Sequence, residues 1–422
     1  MLCQFVIVVY AIPLHKRPMY QGMFGAVFGI SSVMGPLVGG AFTSHVTWRW
    51  CFYINLPFGA AAFVFIAALL YIPDREETKQ PLANKILQLD LLGMTALLPG
   101  TVSLLLALQW GGSEYPWNEG RIIALLVVAG VLLIAFVLIQ IYTPRTATIA
   151  PHIVKQRSII AGIWVTLCNG ASMMTFVCFI PIWYQAIRGA SAIDSGIKLL
   201  PMCLPMVAAA IVTGGLMTRV GYYTPFLLLG CVFLSIGAGL LTTLQVNISD
   251  ARSIGYQIVY GWGLGMAMQS PNLAAQAVLG RRDAPVGMTL LIFTQQLAGA
   301  IFLSVGQNVL NTQLIEQLSR LPGFNPRLLR EIGATTLITA LPEGLRADVL
   351  HGYNEALRKV FQVALIMTCL AIIGAAAMEW RSVKKEAVSG GEETDREKGP
   401  TEKEYEMTDL ERESGKDRKA GV

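Results

Sequence analysis

The chain has 422 residues, of which 54% are hydrophobic and only 14% charged. A soluble domain carries about 25% charged residues, so the composition excludes an ordinary soluble globular protein. The net charge of +5 has no dense basic block behind it outside short loops, which argues against nucleic acid as a partner.

Residues 2–13 are apolar but too short to cross a bilayer, and they stop at Pro13 and the basic run His15-Lys16-Arg17. They read as the remnant of a helix, a half-span whose start lies elsewhere, rather than as a signal peptide, which needs a basic start and a small-residue cleavage site. Ten segments then reach the ~20 mostly apolar residues that a membrane helix needs. They cover 22–44, 53–72, 91–109, 121–142, 159–184, 197–218, 223–244, 255–279, 286–308 and 360–380. The expected fold class is therefore all-α: a polytopic helical bundle with ten complete membrane helices. Residues 381–422 hold 10 Lys/Arg and 12 Asp/Glu, too charged to fold, and read as a disordered tail.

Short loops set the orientation. With Lys16 and Arg17 in the cytoplasm, the loops on that side also carry Arg75, Lys79, Lys85, Arg145, Lys155, Arg157, Arg219, Arg281 and Arg282. The opposite short loops carry Arg49, Arg121, Arg188, Lys198 and Arg252. Both termini are then cytoplasmic, and 309–359 forms a long outer connection. No two of the seven cysteines form a C-x-x-C, the four histidines are far apart, and H-E-x-x-H and G-x-x-x-x-G-K-[ST] are both absent. No metal site, nucleotide-hydrolysing loop or enzyme chemistry is indicated.

The most informative segment is 22–59. Gly25-x-x-x-Gly29 and Gly35-Pro36-x-x-Gly39-Gly40 lie in its first span. At 100° per residue, Gly25, Gly29, Ser32, Pro36 and Gly40 fall on one stripe, where a neighbouring helix can approach at backbone distance. Pro36 removes a helical donor and predicts a bend. Trp48-Arg49-Trp50-Cys51-Phe52-Tyr53-Ile54-Asn55-Leu56-Pro57-Phe58-Gly59 opens the next span, and Arg49 between two indoles suits a cation–π contact at the outer boundary. Polar groups inside apolar spans are costly and tend to face a cavity or a neighbouring helix. The candidates for a substrate path are Asn169, Gln185, Gln269, Asn272, Gln276, Gln295, Gln296, Gln307 and Asn308. Trp183, Tyr184, Trp164, Phe176 and Phe293 are candidates for its apolar and π surface. No acidic residue lies deep in any span: Asp90 sits at a helix entrance, Asp194 in a loop and Glu379 at a helix end.

The glycine stripe and the Trp48–Gly59 run resemble the major facilitator superfamily, in its fourteen-helix drug:proton antiporter branch common in fungi. Two further matches follow in order. Phe179-Ile-Pro181-Ile-Trp183-Tyr-Gln185…Gly189-x-Ser191-Ala192…Ser195-Gly196 with Leu200-Pro201 resembles the ninth-to-tenth helix junction. Phe293-Thr-Gln295-Gln296-Leu-x-Gly299 with Gln307-Asn308 resembles the thirteenth helix. The resemblance covers roughly 14–380 and implies the following division. Residues 1–72 are a remnant of the N-terminal bundle, 73–156 two extra central helices with cytoplasmic flanks, and 157–380 a six-helix C-terminal bundle. Helices one to three and most of four are not found, nor their Gly/Asp/Arg signature and Arg.

The function implied is secondary-active export of drugs, toxins or other small amphipathic organic compounds by alternating access. A proton gradient is the coupling ion, with no cofactor. Uptake of a metal chelate or nutrient by the same fold, or a truncated non-transporting regulator, are the alternatives. The implied partners are a small organic substrate and the lipid bilayer, with the chain acting as a monomer in the plasma membrane; the vacuolar membrane is the alternative. By the same resemblance Gly25, Gly29, Gly35, Pro36, Gly39 and Gly40 form an antiporter-type helix motif. Trp48, Arg49, Trp50, Asn55 and Pro57 would form an outer gate, or an anchor at the membrane interface.

Overall fold

The computed structural model describes residues 8–9, 12–69, 90–112, 114–143, 151–280, 283–318 and 343–382. The tail, the arginines at 281 and 282, and the expected cytoplasmic cations at 75, 79, 85 and 145 lie outside them, as does part of the long outer connection. Fourteen α-helices are described. They are α1 (Arg17–His45), α2 (Trp50–Tyr53), α3 (Asn55–Leu69), α4 (Leu91–Trp110), α5 (Gly120–Tyr142), α6 (Pro151–Val154) and α7 (Arg157–Arg188). Then come α8 (Ala192–Ile197), α9 (Leu200–Val220), α10 (Thr224–Leu241), α11 (Asp250–Met268), α12 (Ser270–Val278), α13 (Ala284–Leu318) and α14 (Glu343–Ala377).

Eight helices among the described residues are long and apolar enough to cross a membrane, by length and composition. The expected span 22–44 lies inside the 29-residue α1. The expected span 255–279 is corrected: it is not one helix but two, broken at Gln269 between α11 and α12. The cause is Pro271, which has no N–H to give the carbonyl of Ala267 and crowds it instead. Ser270 Oγ instead donates to the Met266 carbonyl at 3.1 Å.

Lipid tails are as apolar as leucine, so helices in a bilayer associate through close packing and hydrogen bonds rather than through the hydrophobic effect. The bundle follows that rule. α7 is its spine: α13, α14 and α12 pack on it, α14 closes against α10 and α13, and α11 lies between α9 and α10. One buried cluster fills the half nearer the C-terminal end of α7, with Phe176 stacked on Phe361 at 5.4 Å and against Tyr260 at 4.6 Å. A second fills the other half around Val165, Cys231 and Ala371.

The remaining helices attach to this core in different ways. α1 packs along α9 and touches α8; α4 and α5 pair with each other and meet the core through α13. There Asn308 Nδ2 donates to the Leu108 carbonyl at 2.5 Å. The described side chains of α3 are all exposed.

Local chemistry explains the corners. α7 ends on Gly189, whose φ of +63° is the left-handed conformation that glycine tolerates. The Ala190 N–H then returns to the Tyr184 carbonyl at 3.1 Å. Ser191 caps α8, accepting from the Asp194 N–H at 3.0 Å. Gln185 Nε2 donates to Ser195 Oγ at 2.8 Å and ties the two helices together.

Candidate functional site

α1 is rich in glycine, and the structure shows which glycines are used. A Cβ at Gly22 would stand 2.7 Å from the Ala210 carbonyl oxygen of α9. One at Gly25 would stand 3.0 Å from Gln269 Nε2 and 3.1 Å from Ala210 Cβ. One at Gly40 would meet Ile193 at 2.8 Å, and from the other side one at Gly214 would stand 2.5 Å from the Pro18 carbonyl oxygen. This face of α1 is therefore a close-packed seam against α9 and α8, backbone to backbone at Gly22 and Gly214 and against side chains at Gly25 and Gly40. Gly35 and Gly39 are not on it, because nothing lies within 4 Å of a Cβ added at either. Gly29 and Pro36 fall within the continuous α1, but their surroundings lie outside what is described, as does any bend at Pro36.

Buried amides with unpaired polar atoms occur on α1, on α7 and from Gln269 along α12, and Gln269 lies against this seam at Gly25. Gln269 is 9% exposed, Asn272 5% and Gln276 2%. The side-chain oxygens of all three lack a hydrogen-bond partner among the described residues, and Gln276 Nε2 has only the Met288 sulfur at 2.8 Å. On α7, Asn169 is 2% exposed, with neither end of its amide bonded among the described residues. Gln21 on α1 is fully buried, and neither of its amide atoms has a partner among the described residues. Buried polar atoms in native structures are nearly always paired, so such a concentration asks for a polar guest.

The depth of these amides is informative. At 1.5 Å per residue, Asn169 lies about 18 Å along α7 from Arg157, and Gln269 about 14 Å from the end of α12. Both fall near the middle of a hydrocarbon core about 30 Å thick.

A second polar layer lies along α7 and α11. Tyr260 donates to Ser172 Oγ at 3.1 Å, and Ser172 Oγ donates to the Asn169 carbonyl at 3.2 Å. Gln257 Nε2 donates to Tyr184 Oη at 3.1 Å, and Tyr184 Oη and Ser253 Oγ are 2.6 Å apart. Gln257 Oε1 has no partner among the described residues.

The other residues expected on a substrate path are placed as follows. Trp183 is fully buried, and its indole N–H donates to Asn354 Oδ1 at 2.8 Å; Asn354 Nδ2 in turn donates to the Leu244 carbonyl at 3.2 Å. It is a structural anchor. Gln185 closes the α7–α8 corner. Gln296 and Gln307 are exposed, and Gln307 Nε2 bonds Asn311 Oδ1 one turn away at 3.1 Å. Gln295 is half-buried, with its backbone against Gly170. Phe176 is core, and Trp164 and Phe293 face outward. Helical periodicity aligned Gln296 with Gln307 correctly but could not say which side of α13 was inside.

The expected outer boundary forms an aromatic cluster. The Arg49 guanidinium lies 5.7 Å from the Trp48 ring centroid, Trp48 meets Phe52 edge-on at 6.1 Å, and Trp50 lies 6.2 Å from Phe42 of α1. Trp48 and Trp50 are exposed, Pro57 is exposed, and Asn55 Nδ2 reaches only the Cys51 carbonyl at 3.4 Å. The pattern is that of side chains seated at a membrane surface.

The residues missed in the sequence are Gln21, Ser253, Gln257 and Asn354. Gln21 stood one turn before Gly25, and Ser253, Gln257 and Tyr260 at helical spacing, so a polar stripe was there to be read. Asp90 is the other surprise. It is 5% exposed and caps α4 with a φ of +34°; its carboxylate accepts from the Gly93 N–H at 3.0 Å and from Gln140 of α5.

The family model described as Major Facilitator Superfamily matches residues 3–303. The chain is 47% identical over 383 residues to an MFS-type transporter of Claviceps purpurea, covering 90% of this chain and 66% of that protein. It is 45% identical to the MFS-type efflux pump MFS1 of Arthroderma benhamiae, covering 90% of this chain and 71% of that one. It is 43% identical to a rubrofusarin-specific efflux pump, aurT, of Gibberella zeae, covering 90% and 70%. The chain thus spans about two thirds of the length of these relatives.

Proposed function

The chain belongs to the major facilitator superfamily and is a multi-pass membrane protein; from that premise we propose that it serves secondary-active export of small amphipathic organic compounds. The observation that carries the reading is the group of buried, unpaired amides at Gln21, Asn169, Gln269, Asn272 and Gln276. An amide both donates and accepts, so such a group suits ligands with mixed hydroxyl and carbonyl groups better than ions of one sign. Relatives named as efflux pumps, one of them specific for rubrofusarin, support organic compounds as cargo and the outward direction. The seam along Gly22, Gly25 and Gly40 is the surface on which α1 would shift against α9 as access alternates. A proton gradient is the proposed driving force, the plasma membrane the proposed location and the cytoplasm the proposed side of both termini.

Transport by inside-out vesicles carrying the full chain tests this. With an acid interior they should accumulate a fluorescent amphipathic dye, and a protonophore should abolish the accumulation. Gln269→Leu combined with Asn272→Leu should lower the rate at least tenfold with folded protein retained. Folded protein that moves no dye of a broad panel in either direction would overturn the reading.

A further inference from the structure

Away from the bundle interior, α7 and α14 leave an apolar groove of about 350 Å³ where α7 begins and α14 ends. Ile160, Trp164 and Ile373 line it and are 54%, 42% and 62% exposed, so it opens outward toward lipid. Gly374 forms part of its floor: a Cβ there would stand 2.7 Å from Trp164 Cδ1. The indole N–H donates to the Leu370 carbonyl at 2.9 Å, which fixes the ring.

The mouth of this groove is cationic. Arg157 Nε donates to the Ala377 carbonyl at 2.9 Å, capping the last turn of α14. Its other nitrogens have no hydrogen-bond partner among the described residues, and Lys155 has neither an ion pair nor a hydrogen bond among them. Two carboxylates at this end of the bundle are already engaged: Glu379 with Arg381 at 3.0 Å, and Asp283 with His152 at 3.0 Å. Among the described residues, two cations without a carboxylate partner therefore stand over an apolar trough.

We propose that this groove is a binding site for an anionic phospholipid of the adjacent leaflet. One acyl chain lies along Ile160, Trp164 and Ile373, and the phosphate sits between Arg157 and Lys155. Charge complementarity selects the headgroup, and each basic residue near the membrane surface is worth about fivefold in lipid preference. The site requires only that the chain lie in a bilayer, so it stands or falls independently of what the protein transports.

Trp164 supplies the readout. The full chain is reconstituted in phosphatidylcholine containing either brominated phosphatidylserine or brominated phosphatidylcholine. The Trp164 signal is the difference between the wild-type protein and Trp164→Phe. Brominated phosphatidylserine should quench it at a mole fraction about twenty-five-fold lower than brominated phosphatidylcholine. Lys155→Gln, which leaves the helix cap intact, should reduce that preference about fivefold, and adding Arg157→Gln should abolish it. Equal quenching by the two lipids, or a preference unchanged in Lys155→Gln, would overturn the proposal. Excess inorganic phosphate should leave quenching unchanged; displacement by it would mark a free-anion site and also overturn the assignment to lipid.

Discussion

At the residue scale, the amides at mid-depth set stability against function. Asn169 has four hydrogen-bonding positions on its side chain and uses none of them among the described residues. An unsatisfied buried polar group costs about 1–3 kcal/mol. Asn169→Leu should therefore raise the thermal unfolding midpoint in detergent while it lowers export, both read on one preparation. A lower midpoint would mean that the amide is bonded in the working protein. Asn354 predicts the opposite. Asn354→Ala strands the buried Trp183 N–H and the Leu244 carbonyl, and should cost about 2 kcal/mol, seen as a lower midpoint by tryptophan fluorescence. The sequence told these two classes apart poorly. Trp183 and Asn169 both lie in an apolar span, and only the partner contributed by α14, more than a hundred residues away, makes one an anchor and leaves the other open.

At the element scale, α1 shows how much periodicity can reveal. The stripe through Gly25 and Gly40 was legible because a helix repeats every 3.6 residues, and both glycines lie at the seam. Gly35 and Gly39 belong to the same motif yet face open space, a distinction that the motif by itself does not make. Gly22→Leu should push α1 off α9 and abolish export, whereas Gly35→Leu should leave the rate within about twofold in the same vesicle assay. The break at Gln269 was not anticipated, because hydropathy averages over ~19 residues and passes smoothly across a proline. Pro271→Ala restores the missing donor to Ala267. It should lengthen the helical stretch and slow amide hydrogen exchange around 269–273.

At the scale of the whole molecule, composition and the spacing of apolar runs gave the membrane bundle and nearly all of its helices. What they could not give was the neighbour relations: that α4 and α5 dock through α13, that α7 is the spine, and that α3 turns every described side chain outward. These depend on which small residues meet which, a matter of three-dimensional fit with no local signature. Orientation is likewise a property of the whole. The positive-inside bias predicts that a cysteine placed at Lys155 reacts with a membrane-impermeant maleimide only in inside-out vesicles, and one placed at Arg252 only in right-side-out cells. The reverse labelling would invert the topology.

The interruption between α11 and α12 has a mechanical consequence. An intact helix carries torque from one end to the other; a rod cut at its midpoint does not. The portion bearing Tyr260 and Gln257 packs between α9 and α10, while the portion bearing Asn272 and Gln276 packs on α7 and α13. One polypeptide segment is thereby divided between two sets of neighbours, and the carbonyl of Ala267, deprived of its usual donor by Pro271, marks the joint between them.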